Sequence, residues 1–174
     1  MIAKKLITII VPAYNEEACV DELARRLVRV FGANLKYDFE AIIVENGSVD
    51  RTWELLQKIH ADDSRFKPIR LARNFGMDGG ITAGLHYTNG DAVVFMTADL
   101  QDPPELITQF IRKWEEGYEN VYMQVIKRHG TGLIRSFNSR AFYWLAGKLT
   151  DNRIPKMLAI TDCLIERYTK LSAI

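Results

Sequence analysis

The chain has 174 residues, 48% of them hydrophobic and 26% charged, with a formal net charge of +1. That length and apolar share support one globular domain with its own core, and they exclude a disordered or low-complexity chain. The near-neutral balance gives no sign of a partner recruited by bulk charge, nucleic acid above all.

Short apolar runs alternate with amphipathic ones along the chain. Residues 6–11 form a β-branched run that ends at Pro12, as expected of a strand buried on both faces. The run is too short to span a membrane and lacks a cleavage pattern, so it reads as a strand and not as a signal peptide. Residues 16–31 place Val20, Leu23, Leu27 and Val30 at helical spacing, with Arg25, Arg26 and Arg29 outside. A second strand is expected over 39–44, then a helix capped by Ser48 or Asp50 that runs to about 60, with Trp53, Leu56 and Ile59 buried. A short third strand covers 68–71. A helix over 76–87 follows, although Gly79 and Gly80 weigh against it. The fourth strand is 91–96. Asp102 before Pro103-Pro104 is a good helix start, and that helix runs to 116. A fifth strand over 121–126 and a helix over 133–149 complete the pattern. No stretch reaches the roughly 18 apolar residues of a membrane span. The two cysteines, Cys19 and Cys163, form no framework, so a reducing compartment is expected and Cys19 reads as a small half-buried apolar residue.

Strands alternating with helices of this length imply an α/β fold, a mostly parallel sheet flanked by helices on both faces. Ligands of such sheets bind at the carboxyl ends of the strands. Three polar motifs follow strand ends here. In Val11-Pro12-Ala13-Tyr14-Asn15-Glu16-Glu17, Tyr14 can stack on a base and Asn15 or Glu16 can bond its edge or the ribose; an ordinary cap explains the motif equally well. In Val44-Glu45-Asn46-Gly47-Ser48-Val49-Asp50, turn chemistry explains Gly47-Ser48 but not a carboxylate directly after an apolar strand. In Thr97-Ala98-Asp99-Leu100-Gln101-Asp102-Pro103-Pro104-Glu105, capping explains Asp102 alone. Asp99 and Gln101 stand two apart, so in extended chain they share a face and can hold one hard cation, Mg²⁺ or Mn²⁺.

In this order and spacing the motifs resemble the GT-A glycosyltransferases of family 2. The run from Thr97 to Glu105, with Arg73-Asn74-Phe75-Gly76, is similar to the polyprenyl-phosphate branch, which includes bactoprenol glucosyltransferases and dolichol-phosphate mannose synthases. The likeness covers about residues 6–156. It implies a nucleotide-sugar donor held by Pro12, Tyr14, Glu16, Glu45, Asn46, Arg73, Ala98 and Asp99. It further implies a metal on Asp99 and Gln101, with Asp99 and Asp102 as the catalytic pair. Arg73 also suits a structural ion pair. The family commonly has an aspartate where Thr97 stands, and two aspartates where Glu45 and Asn46 stand. Implied too is a lipid-phosphate acceptor at the cytoplasmic membrane face, with Lys127, Arg128, Arg135 and Arg140 as the basic acceptor-phosphate segment. The helix over 133–149 suits peripheral membrane contact or plain packing equally. Direct displacement by an anionic phosphate would invert the anomeric centre.

Past Lys156 the resemblance stops. The chain reads Met157-Leu158-Ala159-Ile160-Thr161-Asp162-Cys163-Leu164 where the family pattern has a small residue, then Asp, Phe or Tyr, Arg and Leu. Codons for 156–164 can be chosen so that one restored nucleotide yields a family-like segment. The expected organisation is a catalytic domain over 1–156, its C-terminal part incomplete, and an aberrant, frameshifted tail over 157–174. Two rivals are a truncated, non-catalytic nucleotide-binding remnant and a transferase acting on a polysaccharide. A dinucleotide-binding oxidoreductase is a poor reading, because no glycine-rich turn follows the first strand.

Overall fold

In the computed structural model, residues 3–121 are described. The expected strand over 121–126, the helix over 133–149 and the segment 157–174 lie outside them, the first residue of that strand excepted. Four strands, β1 (Leu6–Ala13), β2 (Asp38–Glu45), β3 (Phe66–Arg70) and β4 (Ala92–Phe95), alternate with helices α1 (Val20–Ala33), α2 (Thr52–Asp62) and α3 (Gly76–Leu85). A 3-10 turn (Pro104–Leu106) then leads into α4 (Ile107–Glu115).

All four strands are parallel, in the order β3-β2-β1-β4. The chain therefore steps outward from β1 to β3 and returns to the other side of β1 with β4. That reversal puts a topological switch point between the carboxyl ends of β1 and β4, the place where open parallel sheets take ligands. β1 runs two residues further than its apolar stretch, because Pro12 and Ala13 pair with Val44 and Glu45.

Period-two alternation sorts the strand residues to two faces. Ile7, Ile9, Val11 and Ala13 enter the larger core with Leu23, Leu27 and Val30 of α1, Leu56 of α2 and Ile111 of α4. The expected buried stripe of α1 is thus observed. Trp53 is only half-buried and lies under the Arg70 guanidinium, 5.4 Å from its ring centroid.

The opposite face carries Ile10, Ile42, Val44 and Val93, packed against Ala83 and Leu85 of α3. The glycines of α3 have a packing reason. A Cβ on Gly84 would stand 2.4 Å from Ile10 Cγ2, and one on Gly80 2.9 Å from Pro12 Cβ. Helical propensity is given up so that α3 can lie directly on β1.

At the amino end of this face, Thr8 donates its hydroxyl to Glu40 at 2.6 Å, and Lys67 Nζ lies 2.6 Å from the other Glu40 oxygen. Among the described residues no helix is long and apolar enough to cross a membrane.

Candidate functional site

The loops after β1, β2 and β3 are fastened to one another at the carboxyl edge of the sheet. Between the β1 and β2 loops the bonds are reciprocal. The Asn15 N–H donates to Ser48 Oγ at 3.0 Å, and Asn15 Oδ1 accepts the Val49 N–H at 3.0 Å. The Glu16 N–H reaches Thr52 Oγ1 at 2.8 Å, the Glu17 N–H reaches Asp50 at 3.1 Å, and Glu17 accepts the Arg51 N–H at 3.0 Å. Asn15 holds a left-handed φ of 56°, which asparagine tolerates because its short side chain bonds nearby backbone. Its amide therefore serves as a brace. Asp50 accepts the Thr52 N–H at 3.0 Å from just ahead of α2, but the N-cap position itself is Arg51 and carries no side-chain cap, so neither Ser48 nor Asp50 occupies it.

The β2 and β3 loops are joined through Asn46. Its N–H donates to Ala13 O at 2.9 Å, its Nδ2 to Gly76 O at 2.9 Å, and its Oδ1 accepts the Phe75 N–H at 2.9 Å. Gly47 completes the joint. Its φ is +74°, and a Cβ there would lie 2.6 Å from Arg73 Cα. The Arg73 backbone is thereby seated on the β2 turn, and its guanidinium lies over the Phe75 ring, 4.3 Å from the centroid. Arg73 and Phe75 are both exposed, as is Tyr14 after β1. Arg73 makes no ion pair among the described residues.

Glu45, the last residue of β2, is completely buried, with 0% exposure. Its Oε1 accepts the Ser48 N–H. Arg70 Nε stands 3.1 Å from Oε2 but out of line, so Oε2 is charge-paired and still lacks a hydrogen-bond donor among the described residues. A buried carboxylate oxygen left in that state costs free energy unless a ligand N–H or O–H completes it.

The β4 loop carries Asp99. The extended-chain argument for Asp99 and Gln101 fails. Residues 98–102 form a turn, with Leu100 at a left-handed φ of 59°. The Gln101 N–H folds back onto Asp99 Oδ1 at 3.2 Å, and Thr97 donates its hydroxyl to the same oxygen at 2.7 Å. Oδ2 accepts no hydrogen bond among the described residues. Asp102 is half-buried in the same turn, and Gln101 is exposed.

Glu16, in the β1 loop, lies within reach of the charge of Asp99 in the β4 loop. Burial pushes its carboxyl above the usual range, and the charges of Asp99 and Asp50 push it further, against a hydrogen bond from the Cys19 thiol. Burial, Glu16 and Asp99 likewise raise the Cys19 thiol. Cys19 precedes α1 and is half-buried as expected, and its thiol bonds Glu16, a polar use that the sequence reading did not include.

Pro12 is half-buried at the end of β1. The Ala98 side chain is buried in the larger core, so only its backbone can meet a ligand. Lys127, Arg128, Arg135 and Arg140 lie outside the described residues. Among the described residues no three His, Cys, Asp or Glu side chains cluster to hold a metal. Asp99 Oδ2 and the Gln101 amide oxygen are nonetheless the hard oxygen donors that Mg²⁺ or Mn²⁺ takes when phosphate and water fill the other positions. The donor set fits such an ion.

A family profile described as glycosyl transferase family 2 matches residues 8–165. The uncharacterized glycosyltransferase YkcC of Bacillus subtilis (strain 168) is 44% identical over 148 residues, or 85% of this chain and 46% of that protein. The bactoprenol glucosyl transferase of Shigella phage SfX is 32% identical over 148 residues, or 85% of this chain and 48% of that protein. The chain spans about half the length of the curated relatives it matches.

Among solved structures, glucosyl-3-phosphoglycerate synthase from Mycobacterium tuberculosis, in complex with Mn²⁺, UDP and glucosyl-3-phosphoglycerate, aligns with a TM-score of 0.63 at 19% identity. That alignment covers 94% of this chain and 57% of the other. The parallel sheet with its flanking helices is accordingly a GT-A-like fold. With its motifs at the carboxyl edge of that sheet and a profile match over most of its length, the chain belongs to glycosyl transferase family 2.

Proposed function

We propose that this chain supplies the donor side of an inverting transferase that moves a hexose from a nucleotide sugar, UDP-glucose-like, to a polyprenyl phosphate at the cytoplasmic membrane face. The observation that carries the donor side is Glu45 Oε2, a fully buried acceptor at the ligand edge of the sheet, ion-paired with Arg70 but without a hydrogen-bond donor among the described residues. A nucleoside offers the N–H or O–H it lacks, and exposed Tyr14 offers a face on which the base can stack. Arg73, held by its backbone on Gly47, supplies a positive charge toward a diphosphate.

Asp99 and Gln101 would hold Mg²⁺ or Mn²⁺. When bound, the ion neutralises charge developing on the leaving diphosphate. A phosphate oxygen of the acceptor forms the new bond to the anomeric carbon while the bond to the diphosphate breaks, so the configuration inverts. The attacking oxygen is already anionic and needs no strong base. Asp102 has the role of orienting the sugar or the acceptor. The acceptor class is supported by the bactoprenol relative and by the basic residues Lys127, Arg128, Arg135 and Arg140 in the sequence.

The test is transfer of labelled glucose from UDP-glucose into an organic-extractable product. Label that depends on added polyprenyl phosphate supports the reading. Label that moves into polysaccharide without it points to the other acceptor class.

A further inference from the structure

We propose that Thr97 is a positioning residue that fixes the Asp99 carboxylate for a divalent cation arriving with a nucleoside diphosphate. The inference rests on the donor-site reading above and concerns how this particular chain completes that site.

Three observations carry it. First, Asp99 stands beyond the end of β4, in a turn with Leu100 at φ 59°, so no strand ladder fixes its backbone. Second, among the described residues both hydrogen bonds to its carboxylate fall on one oxygen: Thr97 Oγ1 at 2.7 Å and the Gln101 N–H at 3.2 Å. A carboxylate only accepts, so the threonine hydroxyl is the donor. Its bond is the shorter of the two and engages a charged acceptor, the stronger class of hydrogen bond. The carboxylate plane is thereby set, and Oδ2 is left as the cation ligand. Third, Thr97 is neutral, so Asp99 is the only carboxylate within 97–101. One carboxylate holds a hard cation weakly, and the remaining charge comes from the diphosphate.

The experiment measures Mn²⁺ binding to the full chain by electron paramagnetic resonance of free Mn²⁺, at saturating UDP and, in parallel, GDP. The chain is compared with Thr97→Val, Thr97→Ser and Asp99→Asn. Nucleotide affinity in EDTA and the melting temperature report the fold. The expected result is a loss of Mn²⁺ affinity of about tenfold or more in Thr97→Val, the size of one charge-assisted bond. Thr97→Ser stays within about threefold of the parent, Asp99→Asn loses the ion, and nucleotide affinity in EDTA is the same in the parent and both Thr97 variants.

Parent-like Mn²⁺ binding in Thr97→Val, with the ion lost in Asp99→Asn, overturns the positioning role and leaves the donor site standing. An equal loss of EDTA-state nucleotide affinity in both Thr97 variants overturns it as well, since that is general structural damage. A parent chain that binds no Mn²⁺ with either nucleotide overturns the donor-site reading, and this proposal with it.

Discussion

Replacing Gly47 by alanine tests how the site is assembled, because two separable penalties meet at that residue. Its φ of +74° disfavours any side chain, and a Cβ would lie 2.6 Å from Arg73 Cα and 2.7 Å from Arg73 C, backbone atoms that cannot rotate away. The conformational penalty alone is about 1–2 kcal/mol. Overpacking against a fixed neighbour adds about 1–3 kcal/mol. Gly76 separates the two, since its φ is +77° but a Cβ there meets nothing within 4 Å. Gly32, in α1, has neither constraint. Urea denaturation should therefore rank the variants. Gly47→Ala falls by about 2–5 kcal/mol, Gly76→Ala by about 1–2, and Gly32→Ala gains up to about 1. Gly47→Ala should also weaken UDP binding, because the Arg73 loop must move. Equal destabilisation in Gly47→Ala and Gly76→Ala would refute the close seating of Arg73 on the β2 turn.

Glu45→Gln keeps the shape of the side chain but removes the charge facing Arg70 and an acceptor at the ligand edge; calorimetry should show UDP binding weakened by about tenfold or more. Unchanged affinity would detach Glu45 from the site. Gly84→Ala drives a Cβ to 2.4 Å from Ile10 Cγ2 and should cost about 1–3 kcal/mol, read as a lower urea midpoint. At Glu40, burial opposes ionisation, but bonds from Lys67 and Thr8 outweigh it and hold the carboxyl below its usual value. The stability this gives is present above the unfolded-state value of about 4.3, and it is lost as pH falls through the lower folded-state value, where the folded protein also takes up the proton. The stability gap between parent and Glu40→Gln should narrow over that acid window; a gap independent of pH would contradict the ion pair.

The sheet was legible because β-branched runs without polar interruption fit only strands buried on both faces. The stripe of α1 was legible because helical spacing survives any choice of partner. The ends were less so: Glu16 begins a bonded turn, and α1 starts at Val20. Gly79 and Gly80 counted against a helix in sequence, and the reason for Gly80 lies on β1, at Pro12, where it cannot be seen from α3. Asn15 and Asn46 carry the right chemistry for ligand recognition, yet their amides brace neighbouring loops, and only tertiary geometry distinguishes these uses. The pairing of Asp99 with Gln101 was argued from an extended backbone that Leu100 breaks. The Thr97 hydroxyl bond lay behind a threonine that the sequence marks only as standing where the family commonly has an aspartate. Glu45 was the clearest signal, a carboxylate following an apolar strand, and it is fully buried.

The most direct test of the donor site is thermal unfolding of the full chain with UDP, GDP and their sugar derivatives, with and without Mn²⁺. A nucleotide at about a hundredfold its dissociation constant stabilises by roughly 2.7 kcal/mol, a rise of about 5–10 °C for a domain of this size. The account predicts such a rise with one nucleotide, larger when Mn²⁺ is present. An unchanged melting temperature with every nucleotide and metal combination would contradict it.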